Sequence, residues 1–295
     1  MKITLAKTAG FCFGVNRAVK MVYELLDSGK KVCTLGPIIH NPQMVEELSA
    51  RGVKIVNSPK EVGQNETLVI RSHGVTDSVY TELKTNNTDF ADATCPFVAK
   101  IHKIVSQKSR EGYTVIVAGD ANHQEVIGIC GHVFGDVFVI ANPNELEDLL
   151  KNHNNFNQNR VIMVSQTTFN AEIWDECQKK LKKVCTNAEI FDTICNATSM
   201  RQQEADELSA ENDVMIVVGG RHSSNTSKLF DVCKANCDKT YLIENASELK
   251  DIVFNGCGRV GVVAGASTPA GIIKEVIKTM SENLQPVEEQ TEVKE

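Results

Sequence analysis

The stretches GFCFGV, ATCPFV and TICNAT each set a cysteine, Cys12, Cys95 and Cys195, at the entrance to a helical pattern. A thiol there is either a small packing residue or a ligand, and one cysteine alone does not decide between them. The spacing downstream does. Gly36, Gly119 and Gly219 each follow their cysteine by 24 positions, and His40, His123 and His222 follow by 28, 28 and 27. A cysteine repeated at one place in three related segments points to ligation. Three thiolates without a fourth equivalent suit either a zinc ion with an open position or an iron–sulfur cluster with one iron left free. Helix N-termini are expected to favour the thiolates. Phe11, Phe13, Pro96, Phe97 and Ile194 are expected to screen the centre from water, which favours the cluster.

Acid and anion-binding groups stand where the repeat is broken. Six positions after the three glycines come Pro42, Glu125 and Asn225, so only the middle segment offers a carboxylate. Glu125, beside His123, is therefore the candidate general acid. Further turns read IHN at 39–41, SHG at 72–74, QTT at 166–168, HSSN at 222–225 and GAST at 265–268. Imidazole, hydroxyl and amide groups on helix N-termini form an anion site made mainly without Lys or Arg, and phosphate oxygens suit it.

These residues must be carried by repeated elements. Besides the cysteine signature, three others recur in order. One is a β-branched strand ending in glycine before a histidine turn (VCTLGPIIHNP, VIVAGDANHQE, MIVVGGRHSSN). Another is an apolar strand closed by Asn and an acidic helix start (VKIVNSPKEV, VFVIANPNEL, TYLIENASEL). The last is a strand ending in small or polar residues (TLVIRSHGV, VIMVSQTTF, VGVVAGAST). Short apolar strands alternating with helical patterns mark βαβ units and parallel sheets. The expected architecture is three pseudo-threefold-related α/β modules around a central cavity, at residues 1–94, 95–193 and 194–283. The segment 284–295 is expected as a disordered tail.

Composition narrows the function classes. With 42% hydrophobic residues in 295, the chain can bury a full core, and a net charge of −7 argues against sequence-independent nucleic-acid binding. No apolar run is long enough for a bilayer, and the N-terminus lacks the features of a secretory signal, so a cytoplasmic protein is expected. In that compartment ten cysteines are not a disulfide framework. The seven without matched counterparts, including the pair in CKANC at 233–237, are expected in the core.

In this order, GFCFGV, SHGV, ATCP, NHQEV, SQTT, SSN and AGAS closely resemble the 4-hydroxy-3-methylbut-2-enyl diphosphate reductase (LytB/IspH) family, from about residue 2 to about residue 280. The resemblance implies a trefoil of three α/β modules holding one oxygen-sensitive [4Fe–4S] cluster per chain. It implies the last step of the non-mevalonate isoprenoid pathway, reductive removal of an allylic hydroxyl to give isopentenyl and dimethylallyl diphosphate. By the same resemblance Cys12, Cys95 and Cys195 are the cluster ligands. His40, His73, Ser223, Ser224, Asn225 and Ser267 form the diphosphate cradle, with His123 also reaching the substrate. Glu125 is the proton source, working through Thr167, and Thr168 and Thr198 lie near the pocket. The implied partners are the allylic diphosphate and a ferredoxin- or flavodoxin-type electron donor. A three-thiolate zinc hydrolase and a non-enzymatic iron–sulfur redox sensor are the competing readings. Metal analysis separates the first, and substrate-dependent electron consumption the second.

Overall fold

The computed structural model describes residues 2–153, 156, 160–254 and 256–282, so the expected tail at 284–295 lies outside the described residues. In chain order the elements begin with β1 (Lys2–Leu5), α1 (Phe13–Asp27), β2 (Lys31–Leu35), α2 (Pro42–Ala50), β3 (Lys54–Val56), β4 (Glu66–Ile70), α3 (Asp77–Thr85) and β5 (Phe90–Asp92). The middle third holds α4 (Pro96–Arg110), β6 (Thr114–Ala118), α5 (Gln124–Cys130), β7 (Val137–Ile140), α6 (Pro143–Asn152), β8 (Val161–Ser165), α7 (Ala171–Val184) and β9 (Glu189–Ile190). The last third holds α8 (Asn196–Glu211), β10 (Val214–Val218), α9 (Ser224–Asn236), β11 (Thr240–Ile243), β12 (Arg259–Ala264) and α10 (Ala270–Glu282). Where the middle third has α6, the first and last have only the 3₁₀ turns Pro59–Glu61 and Ala246–Asp251. The first of these ends at Val62, whose backbone is extended.

Three four-stranded sheets result, ordered β3-β2-β4-β5, β7-β6-β8-β9 and β11-β10-β12-β1. Every strand pairing among the described residues is parallel. The α/β expectation of three repeated units is therefore met, with one shift in how they are cut. β1, inside the stretch 1–94 expected as the first module, pairs with β12 in the last sheet, from Lys2 opposite Arg259 to Leu5 opposite Val262. It stands where β5 and β9 stand in the other two sheets. Each sheet thus ends on the strand that precedes a signature cysteine, and the chain crosses to the next sheet at that cysteine.

The central strands read as unbroken apolar runs because both faces are covered. In β6, β8 and β10 every residue is buried. One face of each sheet packs on the two helices after the cysteine and histidine signatures: α1 with α2, α4 with α5, α8 with α9. The opposite faces pack on α3, on α6 with α7, and on α10. Trp174, Leu181 and Val276 are typical of these contacts, each at most 2% exposed, and each contributes on the order of 1.5–3 kcal/mol through its burial. The strand-ending glycines of the repeat have a packing reason. A Cβ on Gly36 would lie 2.7 Å from Arg71 Nη1, and one on Gly219 would lie 2.6 Å from Thr226 Oγ1.

Candidate functional site

The cysteines sit at the crossings. Cys12, Cys95 and Cys195 are the N-cap residues of α1, α4 and α8. Each is held by its backbone N–H, which donates to a carbonyl of the turn after the neighbouring sheet's strand: Cys12 to Ala266 at 3.1 Å, Cys95 to Ser72 at 2.9 Å, Cys195 to Thr167 at 2.9 Å. The same latch, made three times, brings the thiols onto one cavity of about 720 Å³, counted with the part open to solvent. Gly14 leaves room for one of them, since a Cβ there would fall 2.6 Å from Cys95 Sγ.

The expectation of lowered thiol pKa values is half right. The first-turn N–H groups of α4 and α8 do favour the thiolates of Cys95 and Cys195. Burial acts the other way and wins, and the nearby thiols add to it, so both are pushed up. Thiols this closely coupled suit a bound metal centre, which displaces their protons. The aromatic screen is also corrected. Phe11 and Ile194 are half-buried, but Pro96 is exposed, Phe13 is 65% exposed and Phe97 48%. Phe97 nevertheless lines the cavity beside the thiols, while Phe13 and Pro96, at the first turns of their helices, do not.

Across the cavity stands an imidazole cluster. His40, His73 and His123 have ring centroids 4.6 to 5.4 Å apart. Burial first, and then the neighbouring positive groups, hold all three below the ordinary histidine value, His123 at about 4. They are neutral at pH 7 and offer N–H donors as well as lone pairs. His40 Nε2 and His73 Nδ1 are buried with no partner among the described residues. Asn225 Oδ1 accepts from Ala266 N at 2.9 Å, which leaves its buried Nδ2 without a partner. Ser267 Oγ donates to His40 O at 3.2 Å and lies 3.4 Å from Ser223 Oγ, and Thr168 Oγ1 donates to Ser224 Oγ at 2.9 Å. All thirteen residues expected at the site, with Thr198, line this one cavity.

Electrostatics explain how an acidic protein builds such a place. Six helices (α1, α2, α4, α5, α8, α9) begin at or beside cavity residues, so their positive N-terminal dipoles converge there. Unpartnered donors and converging dipoles together ask for a small, highly charged anion.

Glu125 lies in the first turn of α5 and is 2% exposed. Its Oε1 accepts from Thr167 N at 2.6 Å and its Oε2 from Thr167 Oγ1 at 2.9 Å. Burial raises its pKa to about 7 against those two hydrogen bonds. It is thus part protonated at neutral pH, as a general acid must be.

Sequence reasoning missed Arg71 and Arg201, and it offered Gln166 only as an amide of the QTT turn. Arg71 binds Leu35 O at 2.8 Å and Gln124 Oε1 at 2.5 Å, and its charge helps to depress all three histidines. Gln166, 1% exposed, donates to Thr168 and Ser224 and accepts from Asp120 N. Arg201 lines the cavity on the thiol side. The SHG turn lies next to Arg71 and the QTT turn contains Gln166, but nothing had marked Arg201. His222, matched by spacing alone, is exposed and lines an adjoining recess instead.

Comparison with known proteins gives the following. A profile of the LytB protein family matches residues 3–281. The 4-hydroxy-3-methylbut-2-enyl diphosphate reductase of Geobacter sulfurreducens is 44% identical over 282 residues, covering 96% of this chain and 98% of that protein. The enzyme of the same name from Caldanaerobacter subterraneus subsp. tengcongensis is 41% identical over 282 residues, covering 94% and 96%. A solved (E)-4-hydroxy-3-methyl-but-2-enyl diphosphate reductase, described as the terminal enzyme of the non-mevalonate pathway, is 42% identical with a TM-score of 0.68, covering 96% of this chain and all of that one. The E-1-hydroxy-2-methyl-but-2-enyl-4-diphosphate reductase structure from Plasmodium falciparum has a TM-score of 0.88 at 27% identity, covering 97% and 88%.

Proposed function

The chain belongs to the LytB protein family, and from that premise we propose that it reduces 4-hydroxy-3-methylbut-2-enyl diphosphate to isopentenyl and dimethylallyl diphosphate, using a [4Fe–4S] cluster held by Cys12, Cys95 and Cys195. Two electrons and two protons enter, the allylic C–O bond breaks, and water leaves. The observation that carries this reading is the pairing, in one cavity, of three convergent thiols with a buried Glu125 held by both Thr167 hydrogen bonds.

The donor set fits the cluster: three coupled thiols with room preserved by Gly14, and a carboxyl and hydroxyls rather than a fourth thiol on the facing wall. When bound, the cluster supplies the electrons one at a time and a Lewis-acidic iron without a protein ligand.

The remaining work falls to the chain's own residues. Asn225, Ser223, Ser267, His40 and His73 hold the diphosphate, remote from the breaking bond, and so act by positioning. His123 and Thr168 close the cradle on the side toward the acid. Glu125 delivers its proton through the Thr167 hydroxyl to the departing oxygen, which leaves as water only when protonated. A one-electron carrier of ferredoxin or flavodoxin type is the proposed donor, and the reducing cytoplasm the proposed compartment. No helix among the described residues is long and apolar enough to cross a membrane.

The test is an anaerobic assay in which reduced viologen is oxidised only on addition of the hydroxylated diphosphate, run beside iron and acid-labile sulfide analysis. Coloured, sulfide-containing protein with substrate-dependent oxidation is expected. Colourless protein containing zinc would overturn the reading in favour of a hydrolase, and coloured protein without turnover in favour of a sensor.

A further inference from the structure

The repeat places an apolar residue six positions after two of the cysteines, Ala18 and Ile101, both buried in the helix–sheet core. After the third it places Arg201, only 7% exposed. The guanidinium lines the cavity beside the thiols and joins two crossings. Nη2 donates to Gly10 O at 2.8 Å, just before Cys12, and Nη1 donates to Ala197 O at 3.0 Å, just after Cys195. Its Nε is buried with no partner. The carboxylate nearest in sequence, Glu204, is occupied by Lys7 N and by Thr8 N and Oγ1. The charges that act on Arg201 most strongly are those of Cys12 and Cys195.

A buried cation without a carboxylate in contact is costly unless an anion completes it. We propose that Arg201 is the fixed counter-charge of the thiolate-held cluster, a positioning residue that favours its reduced, more negative state and ties the Cys12 and Cys195 crossings together. This rests on the functional reading above. The departure from the repeat explains why one module alone carries it: a single cation offsets a single added electron, and three would over-stabilise the reduced form.

The test is a one-electron redox titration of the purified, cluster-loaded protein, followed by its visible and electron paramagnetic resonance spectra, for wild type, Arg201→Gln and Arg201→Lys. Arg201→Gln should weaken reduction at least tenfold, a shift of about 59 mV to more negative potential. Arg201→Lys, which keeps the charge, should lie closer to wild type. A Gln variant too unstable to keep its cluster, beside a Lys variant that keeps it, supports the same conclusion through iron and sulfide content. A full cluster at unchanged potential in Arg201→Gln would overturn the assignment, as would equal shifts, or equal cluster loss, in Gln and Lys. Wild-type protein lacking iron and sulfide would instead overturn the functional reading, and this assignment with it.

Discussion

Replacing Thr167 by valine removes one hydrogen bond to Glu125 and leaves the other in place, because the backbone N–H donates to Oε1 independently of the side chain. A hydroxyl donated to a carboxylate is worth about 1.5–3 kcal/mol, and each pKa unit corresponds to about 1.4 kcal/mol. The Glu125 pKa should therefore rise by roughly 1–2 units, starting from about 7 in the unaltered protein. Turnover needs the protonated acid, so the wild-type rate should fall about tenfold per pH unit on the alkaline side, and the variant's fall should begin about 1–2 units later. Loss of the hydroxyl that relays the proton lowers the variant's rate at every pH, since a water must take its place between Glu125 and the departing oxygen, so the informative quantity is the ratio of variant to wild type. Between pH 6 and 9 that ratio should climb about 10- to 50-fold. The anaerobic viologen assay under saturating substrate, with buffers overlapping across the range, measures it. Parallel pH profiles for the two proteins would refute the reasoning, because the hydroxyl would then have no hold on the titrating group.

Glu125→Gln should retain the cluster and substrate binding while losing about 10²–10⁴-fold in kcat, with a flat pH profile; unchanged turnover removes it as the acid. Gly14→Ala should lower iron and sulfide content without unfolding the chain, since the added methyl falls on Cys95 Sγ; circular dichroism and metal analysis decide. His40, His73 and His123 are held below the ordinary value and are neutral at pH 7, so inorganic pyrophosphate should bind with proton uptake and more tightly as pH falls from 8 to 6. Calorimetry in buffers of different ionisation enthalpy would show no buffer dependence if this is wrong. In metal-free protein those histidines and His102, depressed to about 3 by burial, leave the unfolded chain binding more protons below pH 6.5. Stability is then lost as pH falls toward 4. His132 is also held down by burial, and Glu125 opposes these histidines with the reverse sign, one group against five. A melting temperature flat across pH 4–6.5 would contradict the assignment.

Much of this was readable in the chain because the repeat constrains residue type and spacing at once. Cys12, Cys95, Cys195, Glu125 and the cradle all stand at strand-to-helix turns, where local sequence dictates direction. What escaped depended on comparisons between distant parts. Strand β1 carries no mark of its partner, since any short apolar run fits either sheet edge, and only the closed arrangement assigns it to β12. The helix-end effect on the cysteines was foreseeable, but the opposing burial was not. Phe13 looks like a core residue by type, yet at the first turn of α1 it is exposed and stands outside the cavity. Arg71 and Arg201 act through carbonyls and neighbours distant in the chain, so the motifs around them did not show their role. His222 shows the reverse error: it stands one position short of the repeat, and its side chain lines the adjoining recess instead of the cavity.

The pairing of Lys2 with Arg259 has a bearing on how the protein is made. On the ribosome the first two sheets can form as their strands emerge, each complete before the next begins. The last sheet cannot be finished until β12 has emerged, because its edge strand β1 is made before every strand of the other two sheets. Until then β1 must wait as a loose clasp, and the Cys12 loop behind it cannot take up its contact with Ala266. The three thiols therefore settle on their common cavity only after β12 is made, Cys12 last of all.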